Sequence, residues 1–335
     1  MTSTPKSLSV VMTAHDQASE LQRNLPQILS QHYEAGFEVI VVDESSTDET
    51  EDVLLQLKAE HKNLYTTYIP ASSHYLSRRK LAITIGIKAA KNEWIILTDA
   101  CCHPDTDNWL ATMAEACDDD KDMVCGYTSY TPDTNTYYLY RRMLSFWRQQ
   151  KHPYCYDGAN LAIRKSAFMA RNGFLKNLQY LRGEYDFLVN ETERSRIAVM
   201  RNPEGYVRQE APTKKSWNDS RLYYIDIRSH LRHTFVPRIR FFLSHLALHL
   251  GYWLLVIALA WAVLLKHDIV YVSLIAALLL FYIVLRIFIP YRIVNAFNEH
   301  ISWWKPPFYD LRIAWTNLWL WMKYKASDKN DFTRK

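Results

Sequence analysis

The chain has 335 residues, 49% hydrophobic and 14% aromatic, with a formal net charge of +5. That length allows one large or two small domains with a full hydrophobic core. Its five cysteines, an odd number without a CxxC pair, argue against a disulfide framework and against structural zinc.

From the N-terminus, short β-like runs alternate with helical stretches. Residues 8–12, 38–42, 64–69 and 94–98 read as strands spaced by about one βαβ unit. "SLSVVMTA" is too short for the apolar core of a secretory signal and reads as the first strand, so the N-terminal part is expected in the cytosol. Ser46 followed by Glu49 predicts a capping box after the second strand. Residues 77–91 predict a helix with Leu81, Ile85 and Ala89 on one face. This alternation predicts an α/β fold with a mostly parallel sheet flanked by helices, whose ligands bind outside the carboxyl ends of the strands. Asp43 ends "EVIVVD" and Asp99 ends "EWIILTD". An Asp after a strand often caps a helix or turn, yet two at equivalent ends favour a binding role. Neither a Walker-type loop nor GxGxxG occurs, so P-loop and Rossmann chemistry are not supported.

Further along, Arg208, Lys214, Lys215, Arg221, Arg228, Arg232, Arg238 and Arg240 face only Glu210, Asp219 and Asp226. Such a patch suits nucleic acid or an anionic membrane, and the next segment decides for the membrane. Residues 241–265 and 269–285 contain no Lys, Arg, Asp or Glu. The first stretch is long enough to span a hydrocarbon core; the second reaches across if Arg286 snorkels or "IFIPY" extends it. Two buried core helices are the alternative, but helices that long are rarely apolar on every face in water. Arg238 and Arg240 before the hairpin and Arg286 and Arg292 after it put both ends in the cytoplasm. The tryptophan-rich stretch that follows suits an amphipathic helix in the membrane interface. The expected organisation is a cytosolic domain over residues 1–235, two transmembrane helices over 236–292, and an interfacial helix with a polar tail over 293–335. That makes a multi-pass protein of the cytoplasmic (inner) membrane, partnered by membrane lipids and by no nucleic acid.

Taken in order, several segments resemble family 2 glycosyltransferases of the GT-A fold: "SVVMTAHDQ", "VVDESSTDET", "KLAITIGIKAAKNEWIILTDACCHPDTDNWL", "GANLAIRKSAF" and "RGEYDFLVNE". The resemblance covers roughly residues 8–234. It implies an inverting transfer from a nucleotide sugar, UDP-linked by expectation, to a lipid-linked or envelope glycan acceptor at the inner membrane face, as in polysaccharide biosynthesis. The departing diphosphate needs a cation, and the resemblance implies Mg2+ or Mn2+ held by a D-x-D pair, with Asp99 as the metal ligand and a donor contact. Thr13, Asp16, Asp43, Arg79 and Lys80 are the other expected donor contacts, with Arg78 beside them. The acceptor hydroxyl needs a general base, for which Asp186 is preferred to Glu184; Asn160, Arg228 and His230 are acceptor candidates.

Three positions depart from the family pattern. Cys101 stands where the second metal acid is expected, Tyr185 where the acidic motif often has Asp, and the family's Q-x-x-R-W element lacks its glutamine. Cys101 has three readings: a zinc ligand with Cys102 and His103, a reactive thiol, or a packing residue beside a metal held by one carboxylate, the last being favoured. The departures also motivate a rival function, a catalytically silent, membrane-tethered protein that keeps the fold for binding. A membrane-bound nucleotidyltransferase should open on a basic glycine-rich loop, which "TAHDQASE" is not.

Overall fold

The computed structural model describes residues 6–70, 77–132 and 134–328. Within them the chain forms two units, one from residues 6–70, 77–132, 134, 148–232 and 327–328, the other from residues 135–147 and 233–326. In chain order the elements are β1 (Leu8–Ala14), α1 (Ala18–Leu29), β2 (Phe37–Asp43), α2 (Thr50–Glu60), β3 (Leu64–Tyr68), α3 (Arg78–Ala89), β4 (Trp94–Asp99), β5 (Cys102–Pro104), α4 (Trp109–Glu115), β6 (Met123–Cys125) and β7 (Thr128–Tyr130). They continue with α5 (Thr136–Gln149), β8 (Asn160–Arg164), α6 (Lys165–Ala170), α7 (Glu184–Glu191), β9 (Ile197–Val199), β10 (Val207–Gln209), α8 (Lys214–His230), α9 (Phe235–Trp261), α10 (Ile269–Ala296) and α11 (Lys305–Ala326).

In the first unit the main sheet runs β3-β2-β1-β4-β8-β6-β9. β3, β2, β1 and β4 are mutually parallel, while β8 is antiparallel to both its neighbours. The sheet is thus parallel where helical crossovers connect successive strands and mixed beyond β4. Every residue of β1 is buried, as a central strand covered on both faces requires. A small sheet, β5-β10-β7, stands beside it.

Two local expectations change. The core face of α3 is Ala82, Ile83, Gly86 and Ile87, not Leu81, Ile85 and Ala89. Gly86 sets this rotation: a Cβ there would lie 2.4 Å from Val11 Cγ1, so the bare backbone lets the helix settle onto β1 and β2. Ser46 does not cap α2, which begins only at Thr50. Its hydroxyl instead bonds Asp43 and accepts from the Asp16 amide, because the chain turns at Ser45 (φ +64°) before the helix starts.

In the second unit, α5 lies against α11. Tyr137 donates to Thr316 at 2.9 Å, Tyr140 to Asp310 at 2.9 Å, and Arg141 to Asn317 at 2.7 Å. Phe235–Lys266 and Ile269–Ala296 are long and apolar enough to cross a membrane, and only 11% and 0% of their most apolar windows are buried. Core helices of a water-soluble domain hide such residues, and these two do not. Asp268 caps α10 by accepting from Val270 N–H at 2.8 Å, which fixes the short turn between the two helices. Along α11, Ile313 and Leu320 are buried while Trp315, Trp319 and Trp321 are exposed. Residues 329–335 of the expected polar tail lie outside the described residues.

Candidate active site

The register of three strands decides which side chains meet. β1 lies between β2 and β4, with Ala14 opposite Asp43 and Thr13 opposite Asp99. Successive strand residues point to opposite faces, so Asp43 and Asp99 share the carboxyl edge but leave the sheet on opposite sides. The two acids expected to bind from equivalent strand ends therefore stand on different faces of the sheet edge, because of this one-residue offset. Glu44, one residue past Asp43, returns to the face of Thr13 and Asp99 and accepts a hydrogen bond from the Thr13 hydroxyl. The sequence reading missed Glu44, although the period of two marks it once the register is known.

On that face α3 delivers Arg79 to Asp99. Ser77 caps the helix by accepting from the Lys80 amide at 3.4 Å, which places Arg79 in the first turn. Arg79 Nη2 donates to Asp99 Oδ1 at 2.5 Å, and the Tyr185 hydroxyl donates to the same oxygen at 2.8 Å. The Asp99 carboxylate lifts the Arg79 guanidinium well above its ordinary range, so the side chain stays charged. Burial, followed by the charge of Asp99, raises the Tyr185 phenol and keeps it a donor.

Tyr185 arrives with the first turn of α7, which also carries Glu184 and Asp186. The preceding Gly183 has φ +89°, and a Cβ there would lie 2.5 Å from Ile227; the turn therefore needs glycine. Two polar atoms here are buried without a partner, Nε of Arg79 and Oε1 of Glu184. Buried polar groups are nearly always satisfied, so an unpaired donor and an unpaired acceptor in one place leave hydrogen-bonding capacity for a ligand. Glu44 is held above the usual carboxylate range by burial, against the opposing pull of Arg79.

The other expected site residues have more enclosed roles. Lys80 is 0% exposed and donates to the carbonyls of Asn177 (2.7 Å) and Tyr180 (2.5 Å). Burial lowers its ammonium to about 8; it pins a loop and does not face the site. Asn160, also 0% exposed, accepts from Trp109 Nε1 at 3.2 Å and donates to the carbonyls of Gly205 (2.8 Å) and Tyr127 (3.3 Å). It is a core residue, not an acceptor contact, because its amide is fully used inside. Asp186 is 1% exposed and accepts from Tyr156 N–H at 3.0 Å and Arg228 Nε at 3.4 Å. Burial raises it to about 6.

Arg228 also lies 3.9 Å from Asp157, and Arg221 3.3 Å from the same carboxylate. His230 rests on the Tyr180 ring, centroids 4.7 Å apart, and is 3.9 Å from Asp226. At the other end of the donor set, Asp43 accepts from Ser46 N–H at 3.0 Å and Asp16 from Thr47 N–H at 2.6 Å. Together these bonds brace the loop after β2. Arg78 braces it too, through the Ser45 hydroxyl at 2.6 Å.

The donor set can be tested against a divalent ion. One oxygen of Asp99 already takes a guanidinium and a phenol, and Cys101 offers a thiol where a hard ion wants oxygen. Among the described residues no group of three or more His, Cys, Asp and Glu is placed to hold a metal. Cys102 is buried, which removes the zinc triad with Cys101 and His103. These side chains do not fit a metal held by the protein.

The family model for glycosyl transferase family 2 matches residues 9–176, half of the chain. Among solved structures, the mannosyltransferase PcManGT from Pyrobaculum calidifontis in complex with GDP-Man and Mn2+ is similar at 20% identity with a TM-score of 0.54, over 95% of this chain and 88% of that one. S. aureus TarS 1-349 in complex with UDP-GlcNAc aligns at 14% identity and a TM-score of 0.46, over 63% of this chain and 60% of that one. GalNAc-T7 with UDP, GalNAc and Mn2+ aligns at 16% identity and a TM-score of 0.46, over 62% and 44%. The first of these supports the expected GT-A fold class. No curated protein matches the chain in sequence.

Proposed function

The chain belongs to glycosyl transferase family 2, and from that premise we propose an inverting transfer from a nucleotide sugar to a hydroxyl acceptor, with Glu184 as the general base. The observation that carries this reading is the unpaired, buried Oε1 of Glu184 in the same helical turn as Tyr185, which reaches Asp99. A base must have a free lone pair within reach of the proton it takes. Asp186, the acid preferred from sequence, has its carboxylate on Tyr156 and Arg228 and is sealed from solvent.

In the proposed step the acceptor oxygen forms a bond to the anomeric carbon as the bond from that carbon to the diphosphate breaks. The hydroxyl proton passes to Glu184, and the nucleoside diphosphate leaves with the bonding pair. Asp43, with Asp16 across the loop, is the proposed nucleoside side of the donor, UDP-linked and hexosyl by expectation, while Thr13 shares the face of Asp99. Two helices able to cross a membrane favour an acceptor presented at a bilayer, a lipid-linked or envelope glycan at the inner membrane face, with α11 lying in the interface.

To test this, the full chain is purified in detergent and screened with nucleotide sugars for release of nucleoside diphosphate. Glu184→Gln is expected to abolish a release that Asp186→Asn retains; the reverse pattern would overturn the assignment.

One observation favours a second reading. The Tyr185 hydroxyl occupies Asp99 where an acid often stands in the family, which suits a silent protein that binds nucleotide sugars without turning them over. Binding without release from any donor in the same screen would select it.

A further inference from the structure

We propose that Arg79 is the cation that meets the donor's diphosphate, so that this chain binds nucleoside diphosphates without a divalent metal. The inference rests on the donor-binding reading above and deepens it by assigning the positive charge.

Four observations carry it. Asp99, the residue expected to hold an ion, holds a guanidinium at 2.5 Å. Two residues on, the neighbouring ligand position is the thiol of Cys101, which accepts from Gln209 Nε2 at 3.4 Å; a hard divalent ion prefers oxygen there. At Tyr185 a phenol donates a proton toward Asp99, whereas an acid at that position would add a second negative charge and favour an ion. Arg79 itself keeps a buried Nε–H without a partner, and its side chain is 38% exposed.

These features form one physical set. Among the described residues no group of three or more His, Cys, Asp and Glu is placed to hold an ion, and a guanidinium is fixed on Asp99 in its place. A guanidinium presents five N–H groups in a planar fork that matches phosphate oxygens two at a time. One arm on Asp99 fixes the plane while other N–H groups remain for the ligand. Arg79 also stands in the first turn of a 12-residue helix, where the backbone dipole adds positive potential for an anion. Asp99 therefore acts as a positioning residue: it aims the guanidinium and keeps it charged.

The test is calorimetric titration of the full chain in detergent with UDP, GDP, CDP and dTDP, once in EDTA and once with Mn2+. Binding to at least one of these in EDTA is expected, with less than a tenfold change on adding Mn2+. Arg79→Met is expected to weaken that binding by about ten- to a hundredfold, the range for hydrogen bonds to charged groups. Cys101→Asp, which supplies a second carboxylate, is expected to make binding respond to Mn2+. Binding that appears only with Mn2+ overturns the inference and leaves the donor-binding reading intact. Failure of all four nucleotides in both buffers overturns the two together. The EDTA comparison on the unaltered chain decides the matter even if Arg79→Met does not fold, which its melting curve reports.

Discussion

The first unit holds two acid–arginine clusters that share side-chain chemistry and differ in enclosure. At the tip of β4, Arg79 and Asp99 have side chains 38% and 19% exposed, beside two buried polar atoms without partners. Around α8, Asp186, Asp157, Arg221 and Arg228 have side chains between 1% and 20% exposed, and their charged groups face one another and the chain. A charge cluster left with open donors and acceptors is available to a ligand. One that answers its own charges holds the fold, and removing a member leaves an uncompensated charge. The contrast teaches that residue type alone does not separate a site from a structural network; exposure does.

The sharpest way to break this comparison is to exchange functions between the clusters. Glu184→Gln is expected to lower turnover by about 10²- to 10⁴-fold with little change in melting temperature, measured by release of nucleoside diphosphate and by thermal unfolding. Next in size, Arg228→Met should destabilise the first unit by roughly 3–5 kcal/mol, read by denaturant or thermal unfolding. A mild effect there would mean the buried cluster is not holding the fold.

A pH series sharpens the same point. Burial raises Asp186 to about 6 from 3.8, so between those values the folded state keeps a proton that the unfolded state has lost. Stability contributed by this group is then full below the lower value and falls as pH rises through the window. Asp186→Asn should flatten that slope, checked by unfolding midpoints across it. The smallest effect is expected from Tyr185→Phe, about 0.5–1.5 kcal/mol of stability, since it removes one hydrogen bond to Asp99 and keeps the ring. A loss several times larger would mean that Tyr185 is part of the structural network and not of the open cluster.

Much of this architecture is legible in local pattern. The four parallel strands, the carboxylates at their ends and the two long apolar segments all follow from runs and periodicities that neighbours in sequence fix. The tyrosine-rich helix α5 is different. Only the fold shows it bonding α11 through Tyr137, Tyr140 and Arg141, partners 170 residues away or more. Asn160 and Lys80 read as polar, ligand-facing candidates because the chain does not reveal which polar groups will be enclosed. Both were enclosed, and both found their bonds on backbone carbonyls.

By itself, then, the sequence determined the order of the first four strands, the two long apolar segments and the presence of acids at the carboxyl edge of the sheet, because strand period and apolar length act over a few residues. The tertiary structure alone decided that Asp99 shares its face with Glu44, that Arg79 and Tyr185 close on it, and that Asp186 is sealed while Glu184 keeps an unpaired oxygen. Those outcomes depend on a one-residue offset between strands and on the close approach of α3 at Gly86, and such geometry exists only once distant segments have packed.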